Sequence, residues 1–382
     1  MRRAVKVAIE QSLALPIAAV LALVWANTFS LSYQQFAHAL TFPINDIGMA
    51  FFFGLAAKEV VEARAPGAAL DTWRRAAMPV VAAVGGMVTP ALLFVLLAHS
   101  TSHDQLLRGW AIPCATDIAF SAMVARSIFG RHPAVPFLLL LAIVDDALGL
   151  VVLALFYPAH ELHVTIAIVL MAAAVSIAFL LRHNHVRVFW PYVFIGGAFS
   201  WLALFWGGLH PALALVPIIP FLPRAPHDPG LFVEAPPYAH DALSEFEHRL
   251  RLPVQAVLFL FGLANAGVPL GSWGAGTWTV LTAVLVGKPL GIGLAVALAV
   301  AAGLQLPAQL RWQDIVVVGC AASIGFTVAL FFATAAFPHG ETLAAVKTGA
   351  LLSIAGAGMA IAAAKILGAG RFRALRAEYP SR

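Results

Sequence analysis

Apolar residues in this chain run in long blocks separated by short polar connections, and that spacing constrains the fold more than any other feature. Blocks of about 20 apolar residues are long enough to cross a hydrocarbon core about 30 Å thick. They do not alternate as the strands of a soluble sheet do. Of the 382 residues 61% are hydrophobic and 11% charged, whereas soluble domains carry about 25% charged residues. A soluble core of this size would lack the polar surface to cover it, so the bilayer is the solvent. Within lipid every backbone polar group must be satisfied internally, which leaves helices for blocks of this length. The expected fold is an all-α polytopic membrane protein.

About twelve transmembrane helices are expected, near 12–29, 45–63, 76–98, 109–129, 135–157, 162–181, 190–206, 209–222, 253–270, 278–302, 314–337 and 343–367. The block at 209–222 is short and proline-rich. The one long connection, 223–252, reads as a cytoplasmic loop with helix near its end. The net charge of +5 and pI near 9.5 do not indicate nucleic acid, because the basic residues sit in loops. With the N-terminus inside, 20 of the 23 Lys and Arg fall on the cytoplasmic side and only Arg108 outside, while Lys288 and Lys347 lie within spans. This asymmetry follows the positive-inside rule and puts both termini in the cytoplasm. The basic, then apolar N-terminus lacks a small-residue cleavage site and reads as a retained first span. Cys114 and Cys320 lie in apolar blocks without metal or disulfide spacing and read as small buried residues. Lys347, near the outer end of the last span, can snorkel to the interface and is assigned no role.

The informative residues are charges within spans. A charge at the centre of a membrane helix costs about 2.5–3.5 kcal/mol on insertion scales. Counting roughly 1.5 Å per residue from each span start, Asp145, Asp146 and Lys288 lie about 15 Å deep and Asp117 about 12 Å deep. Three spans thus bring four ionisable groups to one depth, which requires pairing, hydration or ion binding. Adjacent aspartates point about 100° apart, so one can meet Lys288 while the other faces a water-filled cavity.

Two spans carry breaks. Residues 109–124, GWAIPCATDIAFSAMV, place Pro113 beside Thr116 and Asp117; residues 319–331, GCAASIGFTVALF, place Gly319 and Gly325 around small and polar residues. Proline removes a donor and disfavours helix before it. Interrupted helices in corresponding places of two halves point to a transporter site and expose carbonyls to a cation. The three-span groups 76–157 and 278–367 enter the membrane from opposite sides, as inverted repeats do.

ATDIAF at 115–120, AIVDDALG at 142–149, GKPLGI at 287–292 and SIGFT at 323–327 together resemble the bacterial NhaA-type sodium/proton antiporters. Further matches in the same order are INDIGMAFFFGL at 44–55, AAVGGMVTPALL at 82–93, GGLHPALAL at 207–215, FEHRL at 246–250 and LANAGV at 263–268. The resemblance spans nearly the whole chain as one antiporter domain, 1–382. It implies two discontinuous, crossing helices and electrogenic exchange of sodium or lithium outward for a larger number of protons inward, across a bacterial inner membrane. Asp146 would be the principal cation ligand, with Asp145 its partner, able to pair with Lys288. Asp117 and Thr116 would compensate helix-end dipoles at the crossing. Glu247 and His248, with His210, would belong to a pH-regulatory region. The sequence departs from the family at GLAAKEVVEA, 54–63, where Ala56 and Val60 stand in place of acids, so the pH dependence is not carried over.

No cofactor is expected beyond the transported Na+ or Li+ and H+. The partners are these ions, the bilayer and a second copy of the chain. An intramembrane aspartyl protease would carry its two aspartates on different helices, and GxGD is absent; a retinal pump would need about seven spans. Another sodium-coupled transporter, carrying an organic anion, fits less well than a cation carrier because the buried charge is net negative.

Overall fold

The structure, a computed structural model, describes residues 14–373 except 66–67, 69, 71–72, 160, 225–240 and 308. Its helices are α1 (Ala14–Thr28), α2 (Ser30–Leu40), α3 (Met49–Ala63), α4 (Trp73–Ser100), α5 (Ile118–Phe129), α6 (Ala134–Phe156), α7 (Val164–His183), α8 (Gly197–Gly207), α9 (Ala242–Asn265), α10 (Ala275–Thr282), α11 (Lys288–Ala301), α12 (Trp312–Ala322), α13 (Phe326–Ala336), α14 (Glu341–Leu352) and α15 (Ala355–Leu367). No strand occurs among the described residues. Among the described residues, seven helices are long and apolar enough to cross a membrane, counting Ser30–Ala63 and Ala275–Ala301 as continuous through π-helical turns. An eighth span is the pair α12 and α13, bent by 48°. Leu15–Thr28 and Tyr192–Gly207 are shorter apolar helices. The protein is a multi-pass membrane protein.

The expected spans fall on these helices with one exception. Residues 209–222 form short 3-10 turns at Pro211–Leu213 and Ile219–Phe221 instead of an α-helix. Pro211, Pro217 and Pro220 each remove a backbone donor, and no α-helical ladder survives three such losses in ten residues. Most of the expected loop 223–252 lies outside the described residues. Its end is helical: α9 starts at Ala242, where the Asp241 side chain accepts from the Ser244 N–H at 2.6 Å. The basic start of the chain, Arg2 and Arg3, also lies outside the described residues.

The chain forms two compact units, with the division in α6 between Gly149 and Leu150. The first comprises Met1–Asp71 and Leu150–Gly267. Its core gathers Phe189, Tyr192, Leu215, Ile218 and Phe246. At the end of α9 the Tyr33 hydroxyl donates to the Ala264 carbonyl and accepts from the Gly267 N–H, both at 2.9 Å. The Asn45 and Asn265 side-chain amides pair there too. At the other end of this unit Lys58, buried on α3, meets Glu62 at 2.5 Å and Glu247 at 2.6 Å.

The second unit comprises Thr72–Gly149 and Val268–Arg382. Glycines set its closest helix pair, α4 with α11. A Cβ on Gly291 would lie 2.1 Å from the Gly85 carbonyl oxygen, and one on Gly85 2.4 Å from that of Gly291. Small residues let membrane helices approach backbone to backbone, which replaces the hydrophobic drive that lipid removes. The same contact carries Lys288, the first residue of α11, past Gly86 towards the centre of the unit. A π-helical turn, Ala283–Gly287, immediately precedes it; such turns re-aim side chains at functional sites.

Candidate functional site

Both interrupted spans are broken where the sequence indicates, and the breaks touch. In the first, a 3-10 turn at Ile112–Cys114 containing Pro113 gives way to extended chain at Ala115, and α5 resumes after Asp117. In the second, α12 stops at Ala322 and α13 starts after Gly325. The Asp117 N–H donates to the Ile324 carbonyl at 2.7 Å. Ser121 Oγ donates to the Ala321 carbonyl at 2.9 Å. A Cβ on Gly325 would lie 3.0 Å from the Ala115 carbonyl oxygen, so glycine keeps the crossing close. Free carbonyls at the end of α12 accept from the Ser121 and Thr116 hydroxyls, and free N–H groups at the start of α5 and α13 donate to Asp117 and Ser353, so the broken ends find partners.

Asp117 joins three of these ends. Its Oδ1 accepts from the Phe120 N–H at 3.2 Å, capping α5. Its Oδ2 accepts from the Thr327 N–H at 3.3 Å and from the Thr327 hydroxyl. A carboxylate so placed offsets the positive ends of two half-helices. Thr327 was not singled out by the sequence reading, although it lies in the SIGFT motif; nothing local indicates that its hydroxyl faces a residue 210 positions away.

Lys288 is fully buried, with 0% exposure, and its Nζ meets Asp145 Oδ2 at 2.8 Å. It also donates to the Cys114 carbonyl. The same Asp145 oxygen accepts from the Thr116 hydroxyl at 2.7 Å, and the Ala322 carbonyl lies 3.1 Å from that hydroxyl. One hydroxyl proton serves one acceptor at a time, so Thr116 can turn between the carboxylate and the helix end. Asp145 Oδ1 is buried and has no hydrogen-bond partner among the described residues. Asp146, one residue on, is partly exposed and lies in the field of Asp145, Asp117 and Lys288. No hydrogen bond or ion pair engages it among the described residues.

Thr116, Asp145 and Lys288 are therefore brought together by direct contacts, with Asp117 held at the crossing next to Thr116 and Asp146 following Asp145. They do not form a preassembled cage: among the described residues, no three Asp, Glu, His or Cys side chains gather to hold a metal ion. The other candidates sit in the first unit. Glu247 binds Lys58; His248 is exposed; His210 Nδ1 lies 3.9 Å from Asp46 Oδ1. Lys58 was read only as a cytoplasmic positive charge and is instead the buried hub of three glutamates, with Glu59 at 3.7 Å. Lys347 does not snorkel. It is 8% exposed, on the α14 face that also carries Leu343, Val346 and Ala350.

Comparison with known proteins agrees with this architecture. The chain is similar to the antiporter NhaA 1 of Pelobacter propionicus, 43% identical with 96% of this chain and 98% of the relative covered. The NhaA antiporters of Geotalea uraniireducens (44% identical, 94% and 95% covered) and Geobacter metallireducens (42%, 96% and 98%) are similar to the same degree. The solved sodium/proton antiporter MjNhaP1 of Methanocaldococcus jannaschii shares the fold, with a TM-score of 0.56, 14% identity, and 93% of this chain and 92% of that chain covered. The family model described as Na+/H+ antiporter 1 matches residues 2–365, and the chain belongs to that family of membrane transporters.

Proposed function

We propose that this protein exchanges sodium, or lithium, outward for a larger number of protons inward, with cation and protons competing for Asp146 and Asp145. The observation that carries the reading is Asp146: a carboxylate without a hydrogen bond among the described residues, beside a buried Asp145–Lys288 pair. Lys288 acts as the resident cation of Asp145. A sodium ion drawn in by Asp146 can take its place, using the uncommitted Asp145 Oδ1, the Thr116 hydroxyl and carbonyls of the crossing as further oxygens. Hard cations such as sodium favour oxygen ligands of this kind. Protons that return to the carboxylates expel the cation and let Lys288 re-pair. Because two carboxylates and an ammonium can carry more than one proton per cation, the exchange moves net charge.

Asp117 and Thr116 hold the crossing and offset its helix ends. Inverted repeats at 76–157 and 278–367 are supported by the matching order long helix, broken span, long helix in each. Alternating access moves one bundle against the other around the site. Both termini face the cytoplasm of a bacterial cell, as the basic residues indicate. Glu247, His248 and His210 are assigned to pH regulation, with Lys58 as the partner of Glu247; a second copy of the chain is the expected oligomeric partner.

The test is Asp146→Asn in everted vesicles. The variant inserts normally but shows no sodium-dependent collapse of a proton gradient at any pH. Exchange at the unaltered rate would overturn the assignment.

A further inference from the structure

The half-helices α5 and α12 meet at the crossing by one end each. Their other ends lie about 16 Å and about 15 Å away at 1.5 Å per residue. The turn that follows α15 touches both of those far ends. Gly368 and Gly370, with φ of +67° and +54°, fold the chain back. The Arg371 N–H then donates to the Ile128 carbonyl, in the last turn of α5, at 2.9 Å. A Cβ on Gly370 would lie 2.4 Å from that carbonyl oxygen, so both the backbone conformation and the contact require glycine here.

Two residues later Arg373 Nη2 faces Asp314 Oδ1, in the first turn of α12, at 3.6 Å. The Asp314 side chain is completely buried, and its Oδ2 accepts from the Arg311 N–H at 3.0 Å. Asp314 Oδ1 and Arg373 Nε and Nη2 are shielded from water and make no hydrogen bond among the described residues. Phe372 lies under Lys365 and Arg371, with 5.8 Å and 4.9 Å to its ring centre, which steadies the turn. A buried carboxylate is unfavourable unless a positive group is held against it; here that group is Arg373, whose side chain is 40% exposed and reaches in from the surface.

We propose that this C-terminal turn is a clasp, in which Asp314 and Arg373 are positioning residues. By fixing the spacing of the far ends of α5 and α12, they set the register of the crossing and hence the placement of Thr116 and Asp117. The inference rests on the proposed cation site. The crossing is held by hydrogen bonds that weaken steeply with small shifts, and two rigid half-helices pass a displacement at one end to the other. Releasing the clasp therefore loosens the cation site without removing any of its oxygens.

The test uses full-length protein with Arg373→Gln, Asp314→Asn and Arg373→Lys. Proton movement is followed against sodium concentration in everted vesicles, normalised to inserted protein. The two neutral variants raise half-saturating sodium at least threefold and change the maximal rate less than twofold. Arg373→Lys keeps the charge, and gives a smaller rise even if the neutral variants fail to insert. Unchanged half-saturation in the inserted variants, with only the melting temperature lowered, would overturn the clasp and leave a purely structural anchor. A wild-type protein without sodium-dependent proton movement would overturn the transport reading instead.

Discussion

Replacing Lys288 by Met tests the electrostatic core of the site, because it leaves a buried carboxylate without its cation. At 2.8 Å from Asp145 Oδ2, the ammonium contributes an attraction of about 6 kcal/mol at an effective dielectric constant near 20, before desolvation is counted. Most of that attraction offsets the cost of burying the two charges, so the whole of it is not lost with the lysine. Removing one partner of a buried pair costs about 3–5 kcal/mol, since the other charge is left uncompensated. The destabilisation by Lys288→Met is therefore about 3–5 kcal/mol. Adding Asp145→Asn removes the orphan charge but keeps an acceptor for Thr116, and restores most of the loss. Unfolding of purified protein in detergent, compared for wild type, the single variant and the double variant, reads the difference. A loss below about 1 kcal/mol for Lys288→Met, the size expected of an exposed pair, or a double variant less stable than Lys288→Met alone, would refute the reasoning.

Other substitutions probe the packing that builds the site. Gly291→Val drives side-chain atoms into the Gly85 backbone, where even a Cβ would sit 2.1 Å from the carbonyl oxygen; overpacking of this kind costs about 1–3 kcal/mol or more, and a monodisperse peak in size-exclusion chromatography is expected to be lost. Thr327→Val removes the hydroxyl that donates to Asp117 and leaves only the 3.3 Å backbone bond to that oxygen. A cost of about 1–3 kcal/mol is expected, with half-saturating sodium raised in transport assays; unaltered stability and saturation would show that Asp117 needs no such donor.

Much of this protein is legible without coordinates, and the reasons are local. A membrane span announces itself as an uninterrupted apolar block, so Ala134–Phe156 and Val164–His183 were placed to within a few residues. Pro113 and Gly325 marked the breaks because backbone chemistry depends on the residue itself. The segment 209–222 failed for the complementary reason: its hydropathy suits a span, but its prolines do not suit a helix. Asp117, Asp145, Asp146 and Lys288 stood out because a charge in an apolar block is costly wherever its helix faces.

What facing decides is another matter. Depth along a helix follows from counting residues, and so the common level of the four charges was available from sequence. Rotation about each helix axis is set by contacts with other helices, such as the glycine contact of α4 with α11. Only the tertiary structure therefore decided that Lys288 reaches Asp145 across 143 positions, that Thr327 closes on Asp117, that Lys58 and Lys347 turn inward, and that Arg373 returns to Asp314. The amino-acid order determined which groups lie within apolar helices and how far along each, because that is a property of each segment; their pairing is a property of the packing between segments.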